Sequence, residues 1–133
     1  MSARIRASFA RQSMMATLGA ELVHVGDGTV TVEAPILPLA LQQHGYGHAA
    51  LTFAIGDTAA GYAALTVLPD EAEVLTIEMK INLLRPCAGE RLIARGRVVK
   101  PGRRLVVVTA AVSALRHGTE TEIALLQGTM IPT

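Results

Sequence analysis

The sequence predicts an α+β domain in which a curved antiparallel sheet wraps around one central, buried helix, and three observations predict it. Residues 49–68 are apolar or small at almost every position, contain no proline, and carry one charge, Asp57. So uniform a run has no polar face to offer solvent, and it reads as a helix buried all round. Downstream, the turn signals Pro69-Asp70, Pro86 to Gly89, Pro101-Gly102 and His117-Gly118 punctuate a series of β-like runs. In the first of these, Ile77, Met79, Ile81 and Leu83 alternate with Glu78, Lys80 and Asn82, a two-residue period that buries one face of a strand. A sheet curved around one apolar helix buries both elements at once, which satisfies the layer rule for α+β domains.

The remaining elements follow in chain order. Residues 1–15 are expected to form an N-terminal helix. Residues 20–25 and 29–34 flank a Gly26-Asp27-Gly28 turn, and the alternation of Val30, Val32 and Ala34 makes them a hairpin. Gly45 and Gly47 before the central helix and Pro69 after it mark its ends. Strands are expected at 73–84, 91–100, 104–115 and 120–131. Their short connections predict that successive strands pair antiparallel, as a meander.

At 133 residues the chain is read as a single domain spanning 1–133. A net charge of +1 and a charged fraction of 17% leave no electrostatic footprint for nucleic acid, and no arginine-rich or aromatic stacking pattern accompanies the twelve basic residues. One cysteine, Cys87, forms no intrachain disulfide and suits a packing role in a reducing cytoplasm. His24, His44 and His117 have no partners at metal-ligand spacing, so no metal site is expected. Residues 49–68 match the roughly 20 needed to span a bilayer. Against a membrane span stand the absence of basic flanks and mid-run Asp57, which would cost about 2.5–3.5 kcal/mol on insertion. Residues 1–15 carry Arg4, Arg6 and Arg11 without a continuous apolar core, unlike a secretory leader. A cytoplasmic protein is the expectation.

A carboxylate in an apolar helix needs a reason, because an unpartnered buried charge costs several kcal/mol (about 2–7 even for a neutral polar group). Two polar residues stand upstream of it: Gln42, then His48 six positions later, with Asp57 nine positions after that. Here the chain resembles the hotdog-fold acyl-CoA thioesterases, in particular the phenylacetate-pathway (PaaI-like) group and the related 4-hydroxybenzoyl-CoA thioesterases, over residues 18–129. In that family an Asn or Gln lies six residues before a His-Gly-Gly turn, and an Asp or Glu lies nine residues after the His. Leu84-Arg85-Pro86 resembles the family's motif closing the strand after the helix, and Gly102-Arg103 its glycine-led turn. Thr76, ten residues before Pro86, occupies a site where some relatives carry a Ser or Thr near the catalytic carboxylate. The chain departs from the pattern twice. Ala49 and Ala50 replace the two glycines after His48, and Gly61 stands where one branch has a Ser or Thr.

The resemblance implies a hotdog fold, hydrolysis of an acyl-CoA to free acid and coenzyme A, and no cofactor other than the coenzyme A of the substrate. Asp57 would activate water as general base or attack as nucleophile. The Ala49 N–H, at the positive end of the helix, would polarise the thioester carbonyl. Gln42 would hold the water or the thioester oxygen, and His48 would orient the turn through a backbone hydrogen bond. Thr76 either packs in its strand or contacts the nucleophilic water. Lys100, Arg103 and Arg104 cluster at a turn and would bind the phosphates of coenzyme A. Ala49 and Asp57 are eight residues apart, about 12 Å along a helix, so one protomer cannot bring both to one carbonyl. Two antiparallel helices about a two-fold axis would, which makes a homodimer the minimal active unit, paired further into a dimer of dimers. Two other functions are weighed: an acyl-thioester hydratase or dehydratase, which needs a catalytic His beside an acid, and a non-catalytic acyl-CoA binding protein, suggested by Ala49 and Ala50.

Overall fold

The computed structural model describes residues 2–133. Two short N-terminal helices, α1 (Ser2–Ala10) and α2 (Ser13–Thr17), precede a hairpin of β1 (Glu21–Gly26) and β2 (Thr29–Pro35). A loop with one 3-10 turn, Pro38–Ala40, leads to the central helix α3 (Ala49–Leu65). Four strands complete the chain: β3 (Val74–Leu83), β4 (Arg91–Lys100), β5 (Val106–Arg116) and β6 (Thr119–Pro132). The six strands form one antiparallel sheet in the order β1-β2-β4-β5-β6-β3. The α+β architecture of a curved sheet around one helix is therefore as the sequence predicts.

The sheet curves because four of its strand pairs carry register shifts, at Leu22/His24, Thr76/Glu78, Val98/Lys100 and Val112/Ser113, and such bulges increase local twist. Leu51, Ile55, Ala59 and Ala63 of α3 pack with Val30, Val32, Leu92, Val108, Val112 and Leu126 of the sheet in one buried core. The helix approaches β4 so closely that a Cβ on Gly96 would lie 2.3 Å from the Ala59 carbonyl oxygen. That contact holds the middle of α3, two residues from Asp57, against the sheet. Thr66 fixes its end: the hydroxyl donates to the Ala63 carbonyl at 2.7 Å and accepts from the Gly28 N–H at 2.8 Å, tying the helix to the first hairpin turn.

Four expectations need correction. The N-terminal segment is two helices rather than one, broken at Arg11–Gln12; of it, Met1 lies outside the described residues. The central helix ends at Leu65, not at residue 68, and no helix among the described residues is long and apolar enough to cross a membrane. Nor is it buried all round: Ala49 and Ala50 are exposed, and Phe53, Ala54, Asp57, Thr58 and Gly61 are only half-buried. These residues recur at helical spacing and form one uncovered stripe. The strands from β3 onward are also not a simple meander. β4, β5 and β6 pair in succession, but β3 pairs with β6 at the edge of the sheet. Pro86, which has no N–H to give a ladder, stands in the segment that leaves β3, and that segment crosses the sheet end. There the Leu84 N–H donates to the Ile123 carbonyl at 2.7 Å and the Ile36 N–H to the Glu90 carbonyl at 3.2 Å.

Candidate active site

The loop before α3 is folded on itself. The Gln42 N–H donates to the Tyr46 carbonyl at 2.8 Å, and the Gly45 N–H to the Gln42 carbonyl at 3.0 Å. Gly45 sits at φ +85°, a conformation glycine adopts without penalty. The Gly47 N–H donates to the Cys87 carbonyl at 2.8 Å, and a Cβ on Gly47 would lie 2.4 Å from Cys87 Sγ, so the loop can lie this close to residue 87 only with glycine there. Burial pushes the Cys87 thiol up, opposed by hydrogen bonds to Thr52 and Gly47, which keeps it a protonated packing group.

His48 is the N-cap of α3, with an extended backbone (φ −65°, ψ 144°), and its Nδ1 accepts from the Ala50 N–H at 2.9 Å. A neutral imidazole that accepts at Nδ1 carries its proton on Nε2, a tautomer assigned from this network. The cap satisfies the second helical N–H and leaves the first, that of Ala49, with no acceptor among the described residues. Gln42 Oε1 accepts from the backbone N–H groups of His44 at 2.5 Å and Tyr46 at 3.3 Å. With its oxygen so engaged, the amide's donor, Nε2, has no acceptor among the described residues. Gln42, His48 and Ala49 line one cleft of about 530 Å³, together with Thr52, Arg85 and Cys87.

Asp57 lies two turns further along α3 and opens into a different cleft, of about 380 Å³, which it lines with Thr58, Gly61, Tyr62 and Thr76. Thr76 Oγ1 donates to Asp57 Oδ1 at 2.8 Å. Burial raises the Asp57 carboxyl above its ordinary value and the Thr76 bond opposes that rise. The same hydroxyl lies 3.1 Å from Met130 Sδ, a far weaker acceptor than a carboxylate. Thr76 reaches Asp57 because of the β-bulge at Thr76/Glu78. Met79 and Ile81, beyond the bulge, pack against the core, while Ile77 is 54% exposed. The alternation read from the sequence therefore changes phase at this point, and both Thr76 and Met79 face the helix.

The sequence-predicted residues thus fall into three places. Gln42, His48 and Ala49 share the cleft at the helix start, and Asp57 and Thr76 share the second. Lys100, Arg103 and Arg104 are exposed at the β4–β5 turn and line neither cleft. Sequence reasoning missed residues in both. Arg85, read only as part of the strand-closing Leu84-Arg85-Pro86 motif, lines the first cleft and donates to the Glu122 carbonyl at 2.6 Å. Ser8 and Gln12 of the N-terminal segment line the second and hold the Tyr62 hydroxyl, each at 2.9 Å. A polar residue on a short helix gives no sequence signal of the cleft it will face.

Residues 44–120, more than half of the chain, match the family model described as the thioesterase superfamily. A thioesterase family protein from Silicibacter pomeroyi has a solved structure that is 44% identical, with a TM-score of 0.97 over 98% of this chain and 96% of that one. The phenylacetic acid degradation protein PaaI from Thermus thermophilus, solved as a mutant, is 25% identical, with a TM-score of 0.78 over 90% of this chain and 98% of its own. A Halobacterium salinarum protein named by inference as an esterase is 31% identical over 121 residues, covering 83% of this chain and 79% of that protein. With the matched segment running from the His48 turn through α3 into β6, and the fold aligned nearly end to end, the chain belongs to the thioesterase superfamily and has the hotdog fold of its PaaI-like members.

Proposed function

We propose that this thioesterase-superfamily protein hydrolyses an acyl-CoA, with Asp57 acting on the attacking water or on the carbonyl itself and the Ala49 N–H holding the developing oxyanion. The observation that carries this reading is the His48 cap, which satisfies Ala50 and leaves the Ala49 N–H without an acceptor among the described residues, at the positive end of α3. Gln42 Nε2 is the second donor in the same cleft. The alanines that replace the family's glycines keep this N–H, and His48 sets the extended backbone that exposes it.

One protomer supplies only half of this chemistry, since Ala49 and Asp57 open into separate clefts. The edge strand β3 is ten residues long and exposes Leu75 at 59%, Ile77 at 54% and Leu83 at 56%. An exposed apolar edge of this kind pairs with another chain or aggregates. Pairing β3 with its copy about a two-fold axis sets the two α3 helices antiparallel, covers the uncovered stripe, and brings Asp57 of one protomer toward Ala49 and Gln42 of the other. A homodimer is then the minimal active unit, and two dimers pair into the tetramer. Lys100, Arg103 and Arg104 have no ion-pair partner among the described residues and suit the phosphates of coenzyme A. The lone, buried Cys87 suits a cytoplasmic setting.

Hydration chemistry is less well supported, because a His48 that accepts at Nδ1 presents an N–H donor rather than a base. The test is a panel of acyl-CoAs assayed for thiol release with wild type and Asp57→Ala together. Turnover by wild type and its loss in Asp57→Ala are expected. A wild type that binds coenzyme A but hydrolyses none of the panel would overturn the enzymatic reading in favour of a binding protein.

A further inference from the structure

Tyr62 is a buried titratable group that the hydrolytic reading does not use. It lies on α3, five residues after Asp57, and is 6% exposed. A hydroxyl so buried needs partners, and both of its own come from the N-terminal segment. Gln12 Nε2 donates to Tyr62 Oη at 2.9 Å, which leaves the hydroxyl proton for Ser8 Oγ, also at 2.9 Å. Phe9 packs its ring at 54° to that of Tyr62, with centroids 6.2 Å apart. Ile5 before these residues and Met15 after them are buried in the core, and Arg6 donates to the Leu22 carbonyl at 3.2 Å. This segment lies outside residues 44–120, the part of the chain that the family model matches.

Ser8, Arg11 and Gln12 line the Asp57 cleft together with Val74, Thr76 and Met130. Each displaces water from it, and a carboxyl denied water holds its proton more firmly. Besides Asp57 and Tyr62, the titratable or charged groups lining the cleft are Arg11 and Glu73, of opposite sign; β6 contributes none. Burial rather than a like charge is what raises the Asp57 carboxyl. We propose that Tyr62 is a positioning residue for hydrolysis, which through Ser8 and Gln12 latches the N-terminal segment in place as the wall that keeps bulk water from Asp57. This rests on the reading of Asp57 as the hydrolytic carboxylate.

The experiment measures kcat/KM against pH for wild type, Tyr62→Phe and the double variant Ser8→Ala/Gln12→Ala on one acyl-CoA, with amide hydrogen exchange followed over residues 2–17. Tyr62→Phe keeps the ring against Phe9 and removes the latch. Exchange in residues 2–17 is expected to rise, and the acid limb to move to lower pH as water reaches Asp57. Plateau kcat/KM is expected to fall ~2–10-fold, the worth of about one hydrogen bond. The double variant removes both partners and keeps the tyrosine, and it should move the limb the same way. A uniform loss of activity with an unmoved acid limb marks a merely structural contact and overturns the proposal, as does unchanged exchange in Tyr62→Phe or a limb that the double variant leaves in place. If wild type hydrolyses no acyl-CoA, the catalytic reading fails first. The Asp57 carboxyl titration, followed by NMR in wild type and Tyr62→Phe, then decides the wall separately: a midpoint lowered by the substitution supports it and an unmoved midpoint overturns it.

Discussion

The two clefts along α3 differ in kind. The one at the helix start is built from backbone: a folded loop, an N-cap and a free N–H at the positive end of the helix dipole, with a glutamine amide held by two backbone N–H groups. The one at mid-helix is built from side chains: a carboxylate raised by burial and moderated by one threonine hydroxyl. The first offers hydrogen-bond donors and the second a proton acceptor, and a rigid helix keeps them apart. Under the proposed function these are complementary halves of one reaction carried on one element, and a second copy of the chain would bring them together.

The largest effect is expected at the donor. Proline is tolerated at the first position of a helix and needs an extended residue before it, which His48 at φ −65° and ψ 144° provides. Ala49→Pro therefore deletes one N–H while keeping the fold, and kcat should fall by about 10²–10³-fold with an unchanged circular dichroism spectrum. The acceptor side is sharpened by Thr76→Val. The Thr76 bond lowers the Asp57 pKa, so its loss should move the acid limb of the kcat/KM profile to higher pH, with plateau activity within about tenfold of wild type. The smallest effect is on stability. A carboxyl whose folded pKa is raised holds its proton more tightly in the folded state, so stability from the protonated form is lost as pH rises through that pKa. Asp57→Asn should then give a small rise in Tm at pH 7 that shrinks toward acid pH. A fall in Tm at neutral pH would mean that the carboxylate is held by more than Thr76.

Much of the fold was legible because it rests on local signals. The β1–β2 hairpin follows from the glycines of its turn, and β4 runs from Arg91 to Lys100 as its flanking turns predict. The partner of β3 was not legible, because alternation in a strand says which face is buried but not which neighbour it joins. The bulge at Thr76/Glu78 was equally silent, since no glycine or proline within β3 marks it. Without that bulge Thr76 would not share a face with Met79, and the hydrogen bond to Asp57 would be lost. The uncovered stripe of α3 was hidden because alanine and glycine suit a packed face and an open one alike. The candidate site residues were picked out by the resemblance to the family's motif, spacing alone being weak evidence. Gln42 and His48 do act on the backbone of their loop, but that His48 satisfies Ala50 and thereby frees Ala49 is visible only in three dimensions.

Whether one site draws on two protomers is read from mixed assemblies. Ala49→Pro and Asp57→Asn protomers, each inactive alone, are unfolded together, refolded as a mixture and assayed for acyl-CoA hydrolysis. Random pairing gives heterodimers with one intact site each, so recovery of about a quarter of wild-type activity is predicted. Heterodimers that form, by tag-based isolation, and yet hydrolyse no acyl-CoA would contradict it.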